Sequence, residues 1–461
     1  MTIWIPENME TEGPLYKELA DSIERDVCSG RLCPGQKLPT HRDLADALGI
    51  NVSTVTRGYR EAERRGLVAG TVGRGTYVAS DATTASAMVS VEPLAPGLAE
   101  MGLVTPLYEH DPDASEALLR LGRRKDLARF LKYTDPAGLR THREAGVQWA
   151  AHYGLKATPE DMVVCAGSQH ALSCSLNALF APGQRIATDS LTYPGIKSLA
   201  SMNGLRLAPI PMDEQGMTPE GLDTACRRDD IHGLYLMPDF HNPTALSMPE
   251  SRRDALAEVA LRHNLLLMED DAYALTCERP GRPMAARMPD RSVHFSGVSK
   301  GFWAGLRVAF LTAAKPLRRK IVEAVLNTIW MAPTLNAELV SMWIADGTAE
   351  KVLQAKKREA AARMDIAREV LPRGAVHGQP SGFFIWLELP EPWTGTRFEA
   401  RAREAGINLF CAEKFVVGDA PAPRAVRLSL TGARTHGDLR AGLEKLRDVM
   451  DGNYAETVPM L

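Results

Sequence analysis

From Pro14 onward, Leu15, Leu19, Ile23 and Val27 recur at every fourth position, which stacks them on one face of a helix ending near Ser29-Gly30. Pro14 suits the first turn of such a helix, where a missing N–H costs nothing. Thr40, three residues ahead of Asp43, forms a capping pattern before the apolar positions Leu44, Ala45 and Leu48, and Gly49 is placed to close this second, shorter helix. Asn51 can cap a third helix in which Val55, Tyr59 and Ala62 share a face. Between Gly66 and Val78 the period changes. β-Branched residues flank Gly73-Arg74-Gly75, the pattern of a hairpin. Three helices followed by such a wing predict an α+β winged helix-turn-helix domain over residues 12–79.

Residues 80–92, rich in Ala, Ser and Thr, read as a short linker. From residue 93 to residue 461, helical patterns alternate with short apolar runs at 162–165, 233–237, 265–268 and 308–311. Alternation of this kind predicts a largely parallel sheet covered by helices, with the site at the carboxyl ends of the strands. The fold expected is therefore multidomain, with the winged helix ahead of a large α/β domain.

Composition adds limits. At 461 residues, with 45% hydrophobic and 24% charged residues, the chain is an ordinary globular one with room for more than one domain. Its formal net charge of −3 supplies no overall pull toward nucleic acid, so any DNA binding must be local. Between Arg31 and Val78, eight Lys and Arg face four acids, a local +4. The third helix, in burying Val55, Tyr59 and Ala62, turns Ser53, Arg57, Arg60 and Arg64 outward. Seven cysteines without a C-x-x-C pair point to reduced thiols and to no metal site. A start without a secretory pattern and the lack of a long apolar run point to a cytoplasmic protein with no membrane contact.

The chemistry concentrates in the second half. Ser299-Lys300 precedes Arg307, and a buried lysine near other cations is readily neutral and able to condense with an aldehyde. The strand at 265–268 runs into Asp270 and Tyr273, and a carboxylate at that end is placed to keep a pyridine nitrogen protonated. Asn242 offers an amide to a phenolic oxygen. Ser168 and Gln169 follow a strand and open a helix, whose first N–H groups form an anion site fit for a phosphate. These features together call for pyridoxal 5'-phosphate.

Residues 14–78, through Leu38-Pro-Thr-His-Arg-Asp-Leu-Ala45, Val55-Thr-Arg-Gly-Tyr59 and Gly73-Arg-Gly-Thr76, resemble the GntR winged-helix family. By that resemblance Arg42, Ser53, Thr54, Arg57 and Arg74 contact operator DNA, beside Arg60 on the same outward face. Val52 stands where many relatives carry a polar or basic residue, which makes recognition there apolar or absent. The ordered set Gly167-Ser-Gln169, Tyr193-Pro-Gly195, Asn242-Pro-Thr244, Asp270 to Tyr273, Ser299-Lys300, Arg307 and Arg427-Leu-Ser429 resembles fold-type I pyridoxal-phosphate aminotransferases.

From that resemblance, Lys300 carries the Schiff base, Asp270 meets the pyridine nitrogen, and Tyr273 with Asn242 meets the phenolic oxygen. Ser168, Gln169, Ser299 and Arg307 hold the phosphate, Tyr193 stacks on the ring, and Arg427 binds an effector's carboxylate. Tyr133 would reach the phosphate in a neighbouring subunit, which implies a homodimer. Two departures are Gly297, where relatives often have a hydroxyl, and Ala245, where glycine is usual.

The two parts joined resemble MocR-type regulators. The function implied is a pyridoxal-phosphate-binding, DNA-binding transcription regulator that answers an amino acid-like effector by aldimine exchange at Lys300. The alternative is a working aminotransferase with an accessory DNA-binding head, because the same residues serve transamination.

Overall fold

The protein is described by a computed structural model that covers residues 4–6, 14–28, 31–32, 36–64, 67–71, 75–78, 99–277, 280–418 and 420–452. Its amino-terminal unit has helices α1 (Leu15–Cys28), α2 (His41–Leu48) and α3 (Val52–Arg64), then strands β1 (Val68–Thr71) and β2 (Gly75–Val78). The expected caps are in place. Thr40 Oγ1 accepts from the Asp43 N–H at 3.2 Å, Asn51 Oδ1 accepts from the Ser53 N–H at 2.9 Å, and Gly49 closes α2 at φ 64°. Leu19 and Ile23 of α1 pack with Val55, Tyr59 and Ala62 of α3 in one small core. β1 and β2 pair antiparallel, with Val68 opposite Val78 and Thr71 opposite Gly75. Arg74 and the segment 80–92, read above as a linker, lie outside the described residues.

The large unit is organised by a seven-stranded sheet. In spatial order its strands are Met162–Cys165, Ala309–Ala313, Ser292–Gly297, Leu266–Asp270, Ile231–Leu236, Arg185–Asp189 and Arg206–Ile210. Ala309–Ala313 runs antiparallel to both its neighbours, and the remaining pairs are parallel. These strands are short and mostly apolar on both faces, as a sheet covered by helices on each side requires. A second sheet of four antiparallel strands, Val376–His377, Phe384–Glu388, Ala425–Ser429 and Phe410–Cys411, packs with the helices Thr348–Val370, Gly395–Glu404 and His436–Met450. Ala99–Glu100 pairs in parallel with Ile407–Asn408 in a separate two-stranded sheet.

Candidate cofactor cavity and nucleic-acid face

The carboxyl ends of the large sheet's strands open onto a cavity of about 390 Å³. Asp270 is the last residue of its strand, and Gly297 the last of the next, so Ser299 and Lys300 follow directly at the same edge. Arg427 enters from the smaller sheet, where it sits opposite Trp386 and Phe410. Ser168, Gln169, Tyr193, Asn242, Asp270, Tyr273, Ser299, Lys300, Arg307 and Arg427 all line this one space. Tyr133 does not. It is 81% exposed, with its ring 5.5 Å from that of Trp330.

Lys300 Nζ donates to the carbonyl of Val104 at 2.6 Å and lies 5.4 Å from the Tyr273 ring centre. Burial, aided by Arg427 and Arg307, pulls its pKa down to about 7, so much of the amine is neutral near neutral pH. Burial pushes Asp270 up to about 7, although the Tyr235 hydroxyl, donating to Asp270 Oδ2 at 2.9 Å, opposes the shift. Behind it, His294 Nε2 lies 2.6 Å from Asp271 Oδ2.

The residues present fit pyridoxal phosphate. Asp270 Oδ1 is buried without a partner, and a protonated ring nitrogen is the kind of donor that would satisfy it. Asn242 Oδ1 accepts from Arg427 at 2.7 Å, so what its amide has left to offer is the donor side. Arg307 donates to Ser299 Oγ at 3.1 Å, next to the amino terminus of the helix Ser168–Leu179, which gathers donors for an anion. A Cβ on Gly167 would come within 2.3 Å of that guanidinium, and one on Gly297 within 2.1 Å of Ser168 Oγ. Gly297 thus makes room for the hydroxyl on Ser168, which accounts for one of the two departures. Ala245 carries φ 56° in the left-handed region, a conformation more easily held by the glycine usual there.

Burial also lowers the pKa of Arg427, which remains a cation. The guanidinium lies 5.0 to 5.6 Å from the rings of Phe384, Phe410 and Phe415 and donates to the Gly102 carbonyl at 2.7 Å. The roles of Tyr235, His294 and the segment 102–106 were not read from the sequence. A hydroxyl two positions from the end of an apolar strand was the only available sign of the first.

On the amino-terminal unit, Arg42, Ser53, Arg57 and Arg60 are exposed and Thr54 is partly so. The Arg57 guanidinium lies 4.1 Å from the centre of the Tyr16 ring, which holds it on the outer side of α3. Val52, at the start of α3, is 39% exposed.

The family described as aminotransferase class I and II matches residues 102–446, and that of the bacterial regulatory proteins, gntR family, matches residues 15–78. The chain belongs to the aminotransferase class I and II family. The gntR segment ahead of it completes the MocR pattern. The chain is 32% identical to the HTH-type transcriptional regulator YdeF of Bacillus subtilis, over 97% of each chain. It is 26% identical to the vitamin B6 salvage pathway transcriptional repressor PtsJ of Salmonella typhimurium, covering 84% of this chain and 88% of that one. Among solved structures, LysN, the α-aminoadipate aminotransferase of Thermus thermophilus complexed with N-(5'-phosphopyridoxyl)-L-leucine, matches at 25% identity and a TM-score of 0.68. That match covers 77% of this chain and 93% of LysN. No helix among the described residues is long and apolar enough to cross a membrane.

Proposed function

We propose that this chain is a cytoplasmic transcription regulator whose winged helix binds operator DNA. Its aminotransferase-like body holds pyridoxal 5'-phosphate and senses an amino acid-like effector. The reading is carried by one observation. The segment 102–104 lies across two of the cavity's basic side chains, Gly102 accepting from Arg427 and Val104 from Lys300. Whatever engages these two side chains must compete with that segment.

When bound, the cofactor supplies an aldehyde that takes up amines and a ring that withdraws electrons. Lys300 is the amine that would hold it, and an effector's amine would compete with Lys300 for the same aldehyde. Asp270 keeps a proton on the ring nitrogen, and Asn242 with Tyr273 serves the phenolic oxygen. Ser168, Gln169, Ser299 and Arg307 hold the phosphate, Tyr193 covers the ring, and Arg427 takes the effector's carboxylate. Tyr133 serves a second copy of the chain. Its exposure beside Leu131 (66%) and Trp330 (55%) supports a homodimer, as an apolar patch of this kind marks a contact surface. Two heads on one dimer call for a paired operator. A coupling of about 1–3 kcal/mol between effector and DNA is enough for a useful switch.

The test is a visible-absorption titration of the pyridoxal phosphate-loaded protein with amino compounds, repeated with the chain's own upstream DNA. The expected result is a band that Lys300→Ala abolishes and an effector affinity that DNA changes several-fold. A spectrum unaltered by Lys300→Ala overturns the cofactor assignment. Sustained multiple-turnover transamination, with no response to DNA, would favour an enzyme instead.

A further inference from the structure

Four charged side chains line the cavity, namely Asp270, Lys300, Arg307 and Arg427. The first three have work to do on the cofactor, and Arg427 is the group left for an anion. Its Nε is buried without a partner, and the acid that acts on it, Glu100, does so only from a distance. Apart from the residues given a cofactor role above, the lining that this chain supplies is uncharged, and its larger members are Leu103, Val104, Pro106, Tyr108, Met237 and Phe410. The polar member beside them, Thr105, already donates its hydroxyl to the Thr431 carbonyl.

The wall is also fixed in place. Tyr108 stacks on Trp303 with ring centres 5.8 Å apart and planes at 19°, and the Trp303 indole donates to the Pro112 carbonyl at 2.9 Å. Met237 and Phe410 are buried. A side chain ending in carboxylate or ammonium would lose water against this wall and meet no opposite charge on it. A branched aliphatic or aromatic side chain is stabilised by the same surroundings.

We propose that the effector is a neutral α-amino acid with an apolar side chain, its carboxylate at Arg427 and its side chain against the wall from Leu103 to Tyr108, Met237 and Phe410. This rests on the regulatory reading above and adds to it the class of compound sensed. It excludes dicarboxylic amino acids, diamino acids and amines that lack a carboxylate.

The experiment is a visible-absorption titration of the full-length, pyridoxal phosphate-loaded chain. The probes are L-leucine, L-phenylalanine, L-glutamate, L-lysine and isoamylamine. L-Leucine or L-phenylalanine should shift the band at concentrations at least about tenfold below those needed for the other three, the margin of one unpaired buried charge. Tyr108→Arg, at an exposed position on the cavity wall, should shrink the preference of leucine over glutamate several-fold. Tighter or equal binding of glutamate, lysine or isoamylamine overturns the proposal, as does a preference unmoved by Tyr108→Arg. A chain that forms no visible band with added cofactor fails the underlying reading instead, so the two failures are told apart.

Discussion

Arg57 and Arg427 are the same chemical group in two settings. Arg57 lies on the outer face of α3, exposed, with its guanidinium resting on Tyr16. Arg427 is 4% exposed, ringed by three phenyl groups and held by Gly102 and Asn242. The first keeps its water, so its pull on a phosphate is modest and screened by salt. The second has already lost its water in folding, and a carboxylate that reaches it meets a fixed partner in a dry place. The head therefore offers adjustable contacts to a long polyanion, and the body a preset socket for one small anion.

Removing Arg427 should give the largest effect on this contrast. Arg427→Met is expected to weaken carboxylate-bearing effectors about 100-fold, the cost of losing a buried charge-assisted pair, while the cofactor band remains. A spectral titration unchanged by the substitution would break the contrast at the body. Next comes the pH response. With Lys300 at about 7, its neutral fraction rises roughly tenfold from pH 6 to pH 8. The protonated amine cannot attack an aldehyde, so the initial rate of cofactor uptake by the apo-protein should climb over that window and level off above it. A flat profile, measured by stopped-flow absorbance, would mean that burial does not set this amine's protonation.

In the head, Arg57→Ala should weaken binding to the chain's own upstream DNA by about 1–3 kcal/mol, and lower the salt slope by about one if its contact is to phosphate. Fluorescence anisotropy across a salt series measures both. Raising salt should loosen the DNA far more than the effector, and equal sensitivity would erase the distinction between the two arginines. The smallest change expected is from Gly297→Ala. Its Cβ would fall 2.1 Å from Ser168 Oγ and push that hydroxyl aside, weakening cofactor binding several-fold in an equilibrium titration. Unaltered cofactor affinity would show that Ser168 has no part in holding it.

The head was readable almost residue by residue. Caps such as Thr40 and Asn51 act on N–H groups two or three positions away, and the apolar period of α1 and α3 decides which arginines face out. The body was readable in its chemistry, because Asp270, Lys300 and Arg307 stand at strand ends that the apolar runs announce. Tyr235 was not. Its place opposite Met268 on the neighbouring strand, two residues before Asp270, puts its hydroxyl on the Asp270 face, and that pairing is a matter of register across the sheet. His294 escaped notice for the same reason, sitting opposite Glu269 on the other side and reaching Asp271.

What the sequence determined by itself is the set of local structures and the inventory of reactive groups, since helix periods, caps and strand-end residues act over a few positions of chain. Tertiary structure alone decided which of those groups share a space, and which backbone groups they bond. The carbonyls of Gly102 and Val104 have no side chain to announce them, and they reach Arg427 and Lys300 from hundreds of residues away only once the two sheets have packed. Backbone oxygens are identical at every position, so only folding can single out these two.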